Sequence, residues 1–286
     1  MFNPHPRALI VEGGAMRGIF ASGVLDAFVE SHHYPFDFVM GVSAGATNLV
    51  SYLSEQPRRS HHIITELACS SDFLDPLRFV KGGDLVDVSW LWRTSRYRFP
   101  LDLDTFSACR IPFYAVTTEV ATGAAVYLPV CPDNMDEVLT ATCALPVVQH
   151  ETPCVDGRPM ADGGISDSIP VIEAYRRGAR RMTVVLSEPR GYRKKPARFC
   201  WMVKALLKTQ PALAQAMARD VAYNRALDFI EMPPADCEIE VIAPPADFPV
   251  SRFTRDAFKL ESGYLQGYWQ GRQSLLRARR EARAVA

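Results

Sequence analysis

The chain has 286 residues, 48% of them hydrophobic and 22% charged, and its 32 basic side chains are balanced by 32 acidic ones. This balance argues against the strongly basic composition of a nucleic-acid binder, and the apolar content argues against an intrinsically disordered chain. The seven cysteines include no Cys-x-x-Cys pair. Neither a zinc knuckle nor a redox dithiol is therefore indicated, and free thiols in a reducing compartment are expected.

The sequence predicts no targeting or membrane-spanning segment. The apolar run Ala8–Val11 is too short for the core of a signal peptide. The longest uncharged run, Phe38–Ser54, carries several polar side chains, so it is predicted to be buried structure rather than a membrane span. We expect a cytoplasmic protein, in which a peripheral contact with a membrane is still possible.

The N-terminal part of the chain predicts a βαβ unit followed by a second helix. Short apolar runs at Ala8–Glu12 and Phe36–Val42 are typical of buried strands. Arg17–Ser31 has apolar side chains at helical spacing, and a helix is also predicted over Ala44–Ser54. Because a βαβ unit has parallel strands covered on both faces, an α/β fold is expected.

The rest of the chain continues this pattern without an internal repeat or a clear linker, so one domain over residues 1–286 is expected. Helices are predicted over residues 58–70, 84–93, 133–143 (with Asp133 as N-cap), 170–177 and 254–280, with two more inside 199–230 that are broken at Pro211. Strands are predicted over residues 112–120, 124–128, 182–186 and 238–242, a loop over 73–83, and a tight hairpin turn at Asp156-Gly157.

The strongest motif is Gly41-Val42-Ser43-Ala44-Gly45, a Gly-x-Ser-x-Gly between a predicted strand and a predicted helix. This strand-to-helix position is the one in which such a serine acts as a nucleophile, because the sharp turn leaves the hydroxyl standing clear. The alternative is a serine that caps an ordinary helix. We interpret Ser43 as a nucleophile and Gly41 and Gly45 as the small residues that permit the turn.

A second glycine-rich motif, Glu12-Gly13-Gly14-Ala15-Met16-Arg17-Gly18, also joins a strand to a helix. Glycines there let backbone N–H groups point at a ligand oxygen beside the start of a helix. A dinucleotide fingerprint would need glycine where Ala15 stands, and a phosphate-binding P-loop would end in Lys-Ser or Lys-Thr. An oxyanion hole fits better, and Arg17 adds positive charge nearby unless it is merely a solvated helix residue.

The third motif, Asp162-Gly163-Gly164, suits a tight loop that delivers a carboxylate to a crowded site, although alone it could be a plain turn. The six histidines argue against a classical triad, since none follows Asp162. His150 could complete a triad only with an earlier carboxylate such as Asp133 or Asp136. The pair His61-His62 lacks the spacing of a helical metal site, so no metal is expected.

With these three motifs in this order, the chain resembles the bacterial patatin-like phospholipases over about residues 7–190, while the helical part at about 199–286 is less diagnostic. The segments Ala141–Pro146 and Ala161–Pro170 also look like those of the family. The resemblance implies a three-layer α/β/α sandwich with a mostly parallel central sheet, and hydrolysis of lipid acyl esters without a metal or organic cofactor.

The resemblance also implies a Ser–Asp dyad without histidine. Ser43 would be the nucleophile and Asp162 the proton acceptor, with an oxyanion hole built from residues around Gly14. The residues implied for the hole are Gly13, Gly14, Ala15 and Arg17, and the further motif glycines are Gly18, Gly41, Gly45, Gly163 and Gly164. Ala15 departs from the family, and if it needs a positive φ it would cost roughly 1 kcal/mol relative to glycine.

Three functions remain open at this point: a phospholipase A or lysophospholipase, a hydrolase of another carboxylic ester or thioester, and a catalytically silent lipid-binding protein. The expected partner is a lipid acyl ester rather than nucleic acid, and the oligomeric state is unknown. The basic run around Arg193, Lys194 and Lys195, followed by apolar residues 199–207, could contact an anionic membrane. Its alternative is a solvated loop followed by a core-facing helix.

Overall fold

The computed structural model describes residues 5–146, 148–149, 151–195, 206–217 and 221–285. These residues contain an eight-stranded sheet in the order β5-β6-β3-β2-β1-β7-β8, with β4 paired to β3. The strands are β1 (Arg7–Val11), β2 (Phe38–Val42), β3 (Phe113–Glu119), β4 (Ala125–Pro129), β5 (Cys154–Val155), β6 (Arg158–Asp162), β7 (Arg181–Val185) and β8 (Glu238–Ile242).

The central strands β3, β2, β1, β7 and β8 are parallel, whereas β4 and β6 run antiparallel to β3. The α-helices are α1 (Gly18–Glu30), α2 (Ala44–Leu53), α3 (Arg59–His62), α4 (Pro76–Val80), α5 (Val88–Arg98), α6 (Leu103–Ala108), α7 (Met135–Cys143), α8 (Val171–Arg176), α9 (Pro211–Met217), α10 (Val221–Glu231) and α11 (Ala257–Val285). None of the helices in the described residues is long and apolar enough to span a bilayer.

Helices cover both faces of the sheet, as the alternation of side chains along β1 requires. Leu9 and Val11 pack into a core that includes residues of α1, α2, α5 and α7. Ala8 and Ile10 point to the other face and pack against residues of α8 and α10. The expected three-layer α/β/α sandwich with a mostly parallel central sheet is therefore confirmed.

Helix boundaries differ from the sequence expectation where side chains cap the backbone. The loop predicted over residues 73–83 contains α4, which begins at Pro76 because the Asp75 carboxylate accepts the N–H of Leu77. Helix α5 begins later than expected, because Asp87 accepts the N–H of Trp90. These capping interactions could have been predicted from the Asp-Pro and Asp-Val-Ser sequences.

Three other expectations also changed. The helix predicted over residues 58–70 divides into α3 and a π-helical turn, Ile63–Leu67. Helix α7 begins after Asn134, which makes no side-chain cap, so the assignment of Asp133 as N-cap is wrong. The hairpin turn is confirmed, since Asp156 and Gly157 both have positive φ angles. The helical segment expected from residue 199 lies outside the described residues as far as residue 205.

Candidate active site

Two strands that flank the same part of β3 bring the two candidate catalytic residues together. Val42 at the end of β2 pairs with Val116, and Asp162 at the end of β6 pairs with the next residue of β3, Thr117. The chain therefore leaves β2 at Ser43 beside the point where β6 ends. Residues far apart in sequence meet at one position of the sheet, the carboxyl edge of its parallel strands.

Ser43 occupies a sharp turn between β2 and α2, with φ 50° and ψ −125°. This combination is strained for a residue with a side chain and costs about 1–3 kcal/mol. The turn is held by Thr142, whose hydroxyl accepts the Ser43 N–H at 2.9 Å and donates to the Val116 carbonyl at 2.5 Å. It also requires glycine at position 45, since a Cβ there would lie 2.3 Å from the Val11 carbonyl oxygen.

Asp162 is only 3% exposed, and the Ser43 side chain lies close enough to its carboxylate to lower its pKa. Its Oδ1 also accepts the N–H of Gly164 at 2.7 Å, and its own N–H donates to the Ala144 carbonyl at 2.8 Å. Burial raises the pKa of Asp162 to about 6, although the Ser43 side chain and the hydrogen bond from Gly164 lower it. The group is therefore a carboxylate at neutral pH, but a more basic one than a solvated aspartate.

The glycine-rich loop lies directly against the serine. A Cβ on Gly13 would lie 3.1 Å from the Cβ of Ser43, so a side chain at this position would crowd the serine. Within the described residues, the N–H groups of Gly14 and Ala15 have no backbone or side-chain acceptor. Ala15 has a φ of 51°, so it adopts the left-handed conformation that favours glycine.

The Arg17 side chain reaches the segment that follows β7. Its guanidinium forms an ion pair with Glu188 and donates to the Ser187 hydroxyl at 3.1 Å. Arg17 is 8% exposed. Its geometry is that of a buried anchor for the loop, and the interpretation as a solvated helix residue is wrong.

An apolar cavity of about 150 Å³ opens beside Ser43. Ser43, Ala15 and Ala44 are among the residues that line it, and most of the lining is hydrocarbon. The walls include Met16, Ile63, Ile64, Phe73, Leu74, Val88, Leu91, Trp92, Leu145 and Phe253. Such a cavity suits a ligand with a reactive polar group at Ser43 and an apolar chain beyond it.

The remaining motif residues lie at the same junctions. Gly18 begins α1, Gly41 precedes the turn at Ser43, and Gly163 and Gly164 continue the chain after Asp162. His150 lies outside the described residues. In the part of the chain that is described, no cluster of histidine, cysteine or carboxylate side chains could hold a metal ion.

Sequence reasoning missed the groups that hold these motifs in place. Thr142 lies in a segment that already looked like that of the family, so it could have been singled out. Glu12, Ser187 and Tyr223 form a buried hydrogen-bonded group behind the loop, and no sequence pattern marked Tyr223. The aromatic cavity wall at Trp92 likewise had no motif.

Comparison with known proteins agrees with this geometry. The family model of patatin-like phospholipases matches residues 9–175, a range that contains both Ser43 and Asp162. The chain belongs to the patatin-like phospholipase family. A separate model, a domain of unknown function (DUF6363), matches residues 210–281 of this family member.

Two similar proteins help to place this patatin-like chain. It is 36% identical over 251 residues to the uncharacterized protein YjjU of Escherichia coli, an alignment that covers 85% of this chain and 70% of YjjU. The crystal structure of VipD from Legionella pneumophila has a TM-score of 0.51 and 15% identity. That comparison covers 95% of this chain but 66% of VipD, and it bears on the fold alone.

Proposed function

We propose that the protein is a serine acyl hydrolase of lipids, of the phospholipase A or lysophospholipase type. Membership of the patatin-like phospholipase family supports lipid hydrolysis in general. The observation that carries the finer proposal is a strained serine that lies beside a buried carboxylate and lines an apolar cavity. Strain at a residue of this kind is typical of functional sites.

In the proposed reaction, Asp162 accepts the hydroxyl proton of Ser43 while the serine oxygen attacks the ester carbonyl carbon. A pKa of about 6 favours this role, because the carboxylate is ionised at neutral pH yet basic enough to accept a proton. The oxyanion of the tetrahedral intermediate would accept the N–H groups of Gly14 and Ala15. A preformed donor of this kind contributes roughly 10²–10³-fold in rate in other hydrolases.

The same two groups complete the acylation of Ser43 and then carry out its deacylation. Protonated Asp162 returns its proton to the leaving alcohol, and an acyl-serine ester remains. Asp162 then deprotonates a water molecule that attacks this ester. When the second intermediate collapses, the bond to the serine oxygen breaks, Asp162 returns the proton to that oxygen, and the fatty acid is released. Every proton is thus exchanged between Asp162 and an oxygen of the substrate, the serine or the water.

The proposal is tested by covalent labelling and by a comparison of substrates. A serine-directed fluorophosphonate is expected to label the parent protein but not Ser43→Ala. Turnover is expected on long-chain phospholipid or lysophospholipid and to be slower on a short acetyl ester or thioester. The absence of labelling would favour a silent lipid-binding protein, and preference for the short ester would favour a non-lipid esterase.

We also propose a peripheral contact with the lipid surface at the mouth of the cavity. Phe253 lines the cavity and is 60% exposed. Helix α4 begins two residues after Leu74, which lines the cavity, and its Leu77 and Val80 are 71% and 82% exposed. Aliphatic and aromatic side chains around the entrance would enter the membrane next to the lipid to be cleaved.

This surface differs from the basic run expected from the sequence. Arg193 forms ion pairs with Asp228 and Glu231, so much of its charge is already neutralised within the protein.

Sedimentation with anionic phospholipid vesicles distinguishes the two surfaces. Leu77→Ser with Val80→Ser should reduce binding, whereas Met232→Ser, an exposed apolar residue at the end of α10, should not. If only removal of charge at residues 193–195 reduces binding, the basic run is the contact. The cytoplasmic location stays a prediction.

A further inference from the structure

The carboxylate at the start of the glycine-rich loop has no part in the proposed reaction, yet it is almost fully buried. Glu12 is 2% exposed. Its Oε2 accepts the backbone N–H of Ser187 at 2.6 Å, and its Oε1 accepts the hydroxyl of Tyr223 at 2.9 Å. Burial raises the pKa of Glu12, and these two donors together with Arg17 lower it. A buried carboxylate with two dedicated donors is a costly feature unless it holds something in place.

Ser187 connects Glu12 to the candidate oxyanion hole. With its N–H fixed on Glu12, its hydroxyl donates to the Gly13 carbonyl at 3.0 Å. In a trans peptide the N–H points opposite to the carbonyl of the same unit. Pinning the Gly13 carbonyl to Ser187 therefore orients the N–H of Gly14 away from Ser187, where it has no acceptor within the described residues.

The Tyr223 hydroxyl comes from the region that matches the domain of unknown function. Tyr223 lies on α10, is 6% exposed, and its ring packs edge-on against Tyr192 at 5.9 Å between centroids. The same region reaches the other end of the loop, where the Arg252 carbonyl accepts the N–H of Met16 at 3.4 Å. Contacts from residues 210–281 thus hold the loop on both sides of Gly14 and Ala15.

We propose that Tyr223 is a positioning residue for the oxyanion hole and that the C-terminal region, residues 210–281, serves to hold the glycine-rich loop in its active geometry. The inference rests on the proposed function, since it gives the loop the task of binding the oxyanion. Tyr223 acts through Glu12 and Ser187 on the peptide between Gly13 and Gly14, and it does not touch the substrate.

Tyr223→Phe tests this role because it removes one hydroxyl and leaves the ring packing intact. On a soluble short-chain ester, kcat is expected to fall roughly 10–100-fold with KM unchanged, since the loss is in transition-state stabilisation and the cavity wall is not altered. Tyr175→Phe is the matched control, because the Tyr175 hydroxyl donates to Asp236 at 2.9 Å at an exposed site. Its kcat should equal that of the parent.

A double-mutant cycle with Glu12→Gln tests the route of the effect. If Tyr223 acts through Glu12, the double variant should be no slower than Glu12→Gln alone. Strictly additive losses, or a rise in KM at constant kcat, would overturn the positioning role. If Tyr223→Phe does not fold, the kcat and KM of Glu12→Gln alone test whether this buried group positions the loop.

Hydrogen exchange separates this inference from the proposed function. The amides of Met16, Arg17 and Ser187, which are hydrogen-bonded in the parent, should exchange faster in Tyr223→Phe than in the parent or in Tyr175→Phe, whether or not an ester is hydrolysed. Unchanged exchange at these amides would overturn the positioning role. Faster exchange without any parent activity on esters would keep the positioning role of the C-terminal region and refute the hydrolase.

Discussion

The junctions after β1 and after β2 are built alike but are stabilised in different ways. Each joins a parallel strand to a helix, and each places one residue other than glycine in the left-handed region, Ala15 and Ser43. The turn at Ser43 is fixed mainly by close backbone approaches that its own motif glycines permit, and by one distant side chain, Thr142. The loop at Ala15 depends on polar side chains from distant segments, among them Ser187 and Tyr223.

This difference explains why one junction was easier to interpret than the other. Close packing that demands small residues within the turn itself leaves a local signature, Gly-x-Ser-x-Gly, in the sequence. A loop held by buried polar groups leaves its requirements scattered along the chain. We therefore expect substitutions at the turn to affect chemistry and local strain, and substitutions behind the loop to affect geometry from a distance.

The largest expected effect is on chemistry at the turn. Ser43→Ala and Asp162→Asn should each lower kcat by about 10³-fold or more, and the double variant should be no worse, because the two groups act as a unit. Turnover of a short-chain ester and of phospholipid vesicles measures this loss.

Two matched variants control for the loss of a buried serine or aspartate. Ser54→Ala removes a buried hydroxyl that bonds only the backbone of α2, and Asp167→Asn removes a half-buried carboxylate that bonds Tyr127 at 2.8 Å. Both should retain kcat. Near-normal turnover by Ser43→Ala would refute its role as the nucleophile.

The next effect is a pH dependence set by Asp162. Its pKa of about 6 predicts that kcat/KM falls below pH 6 with an apparent pKa near that value, since only the carboxylate accepts a proton. An acid limb near pH 4 would contradict the assignment of Asp162 as the base.

Stability should depend on pH in the opposite sense. The native pKa of about 6 lies above the unfolded value of about 3.9, so the native state binds more protons between these values. The contribution of Asp162 to the free energy of unfolding is therefore present below about pH 4 and is lost as the pH rises through about 6. Asp162→Asn should stabilise the protein by roughly 2–3 kcal/mol at pH 8 and by less at pH 5. Denaturant titrations at both pH values measure this, and equal shifts would contradict it.

The same division between local and distant requirements explains which features could be predicted from the sequence. Ser43, Asp162 and the order of their motifs were predicted, and so was the parallel sheet that brings strand ends to one edge. The network behind the loop was not, because Glu12 and Tyr223 are 211 residues apart and neither belongs to a periodic pattern. The direction of the Arg17 side chain was likewise unpredictable, since its partner Glu188 comes from the end of β7.

A smaller effect should separate backbone strain from chemistry at Ser43. Ser43→Gly relieves the strain of φ 50° and ψ −125°, whereas Ser43→Ala retains it. Relief of the backbone strain should raise the free energy of unfolding by about 1–3 kcal/mol, and the greater conformational freedom of glycine in the unfolded chain should offset up to about 1 kcal/mol of this. We therefore expect Ser43→Gly to be more stable than Ser43→Ala by about 1 kcal/mol. Thermal melts of the two inactive variants make the comparison, and a less stable Ser43→Gly would show that the turn carries no strain.

The smallest expected effect concerns Ala15. Its φ is positive, at 51°, so glycine should be tolerated better than alanine at this position. Alanine in this region costs roughly 1–2 kcal/mol, which glycine would not. Because unfolded glycine has more conformational entropy to lose on folding, part of this difference is offset, and Ala15→Gly should stabilise the protein by about 0.5–1 kcal/mol. Ala222→Gly is the control, because Ala222 is exposed on α10 and glycine there should destabilise by about 1 kcal/mol. If the distant hydrogen bonds fix the loop, kcat of Ala15→Gly should stay at the parent level or rise. A fall in both melting temperature and kcat would mean that the methyl group of Ala15 itself holds the loop, and the contrast drawn between the two junctions would fail at this residue.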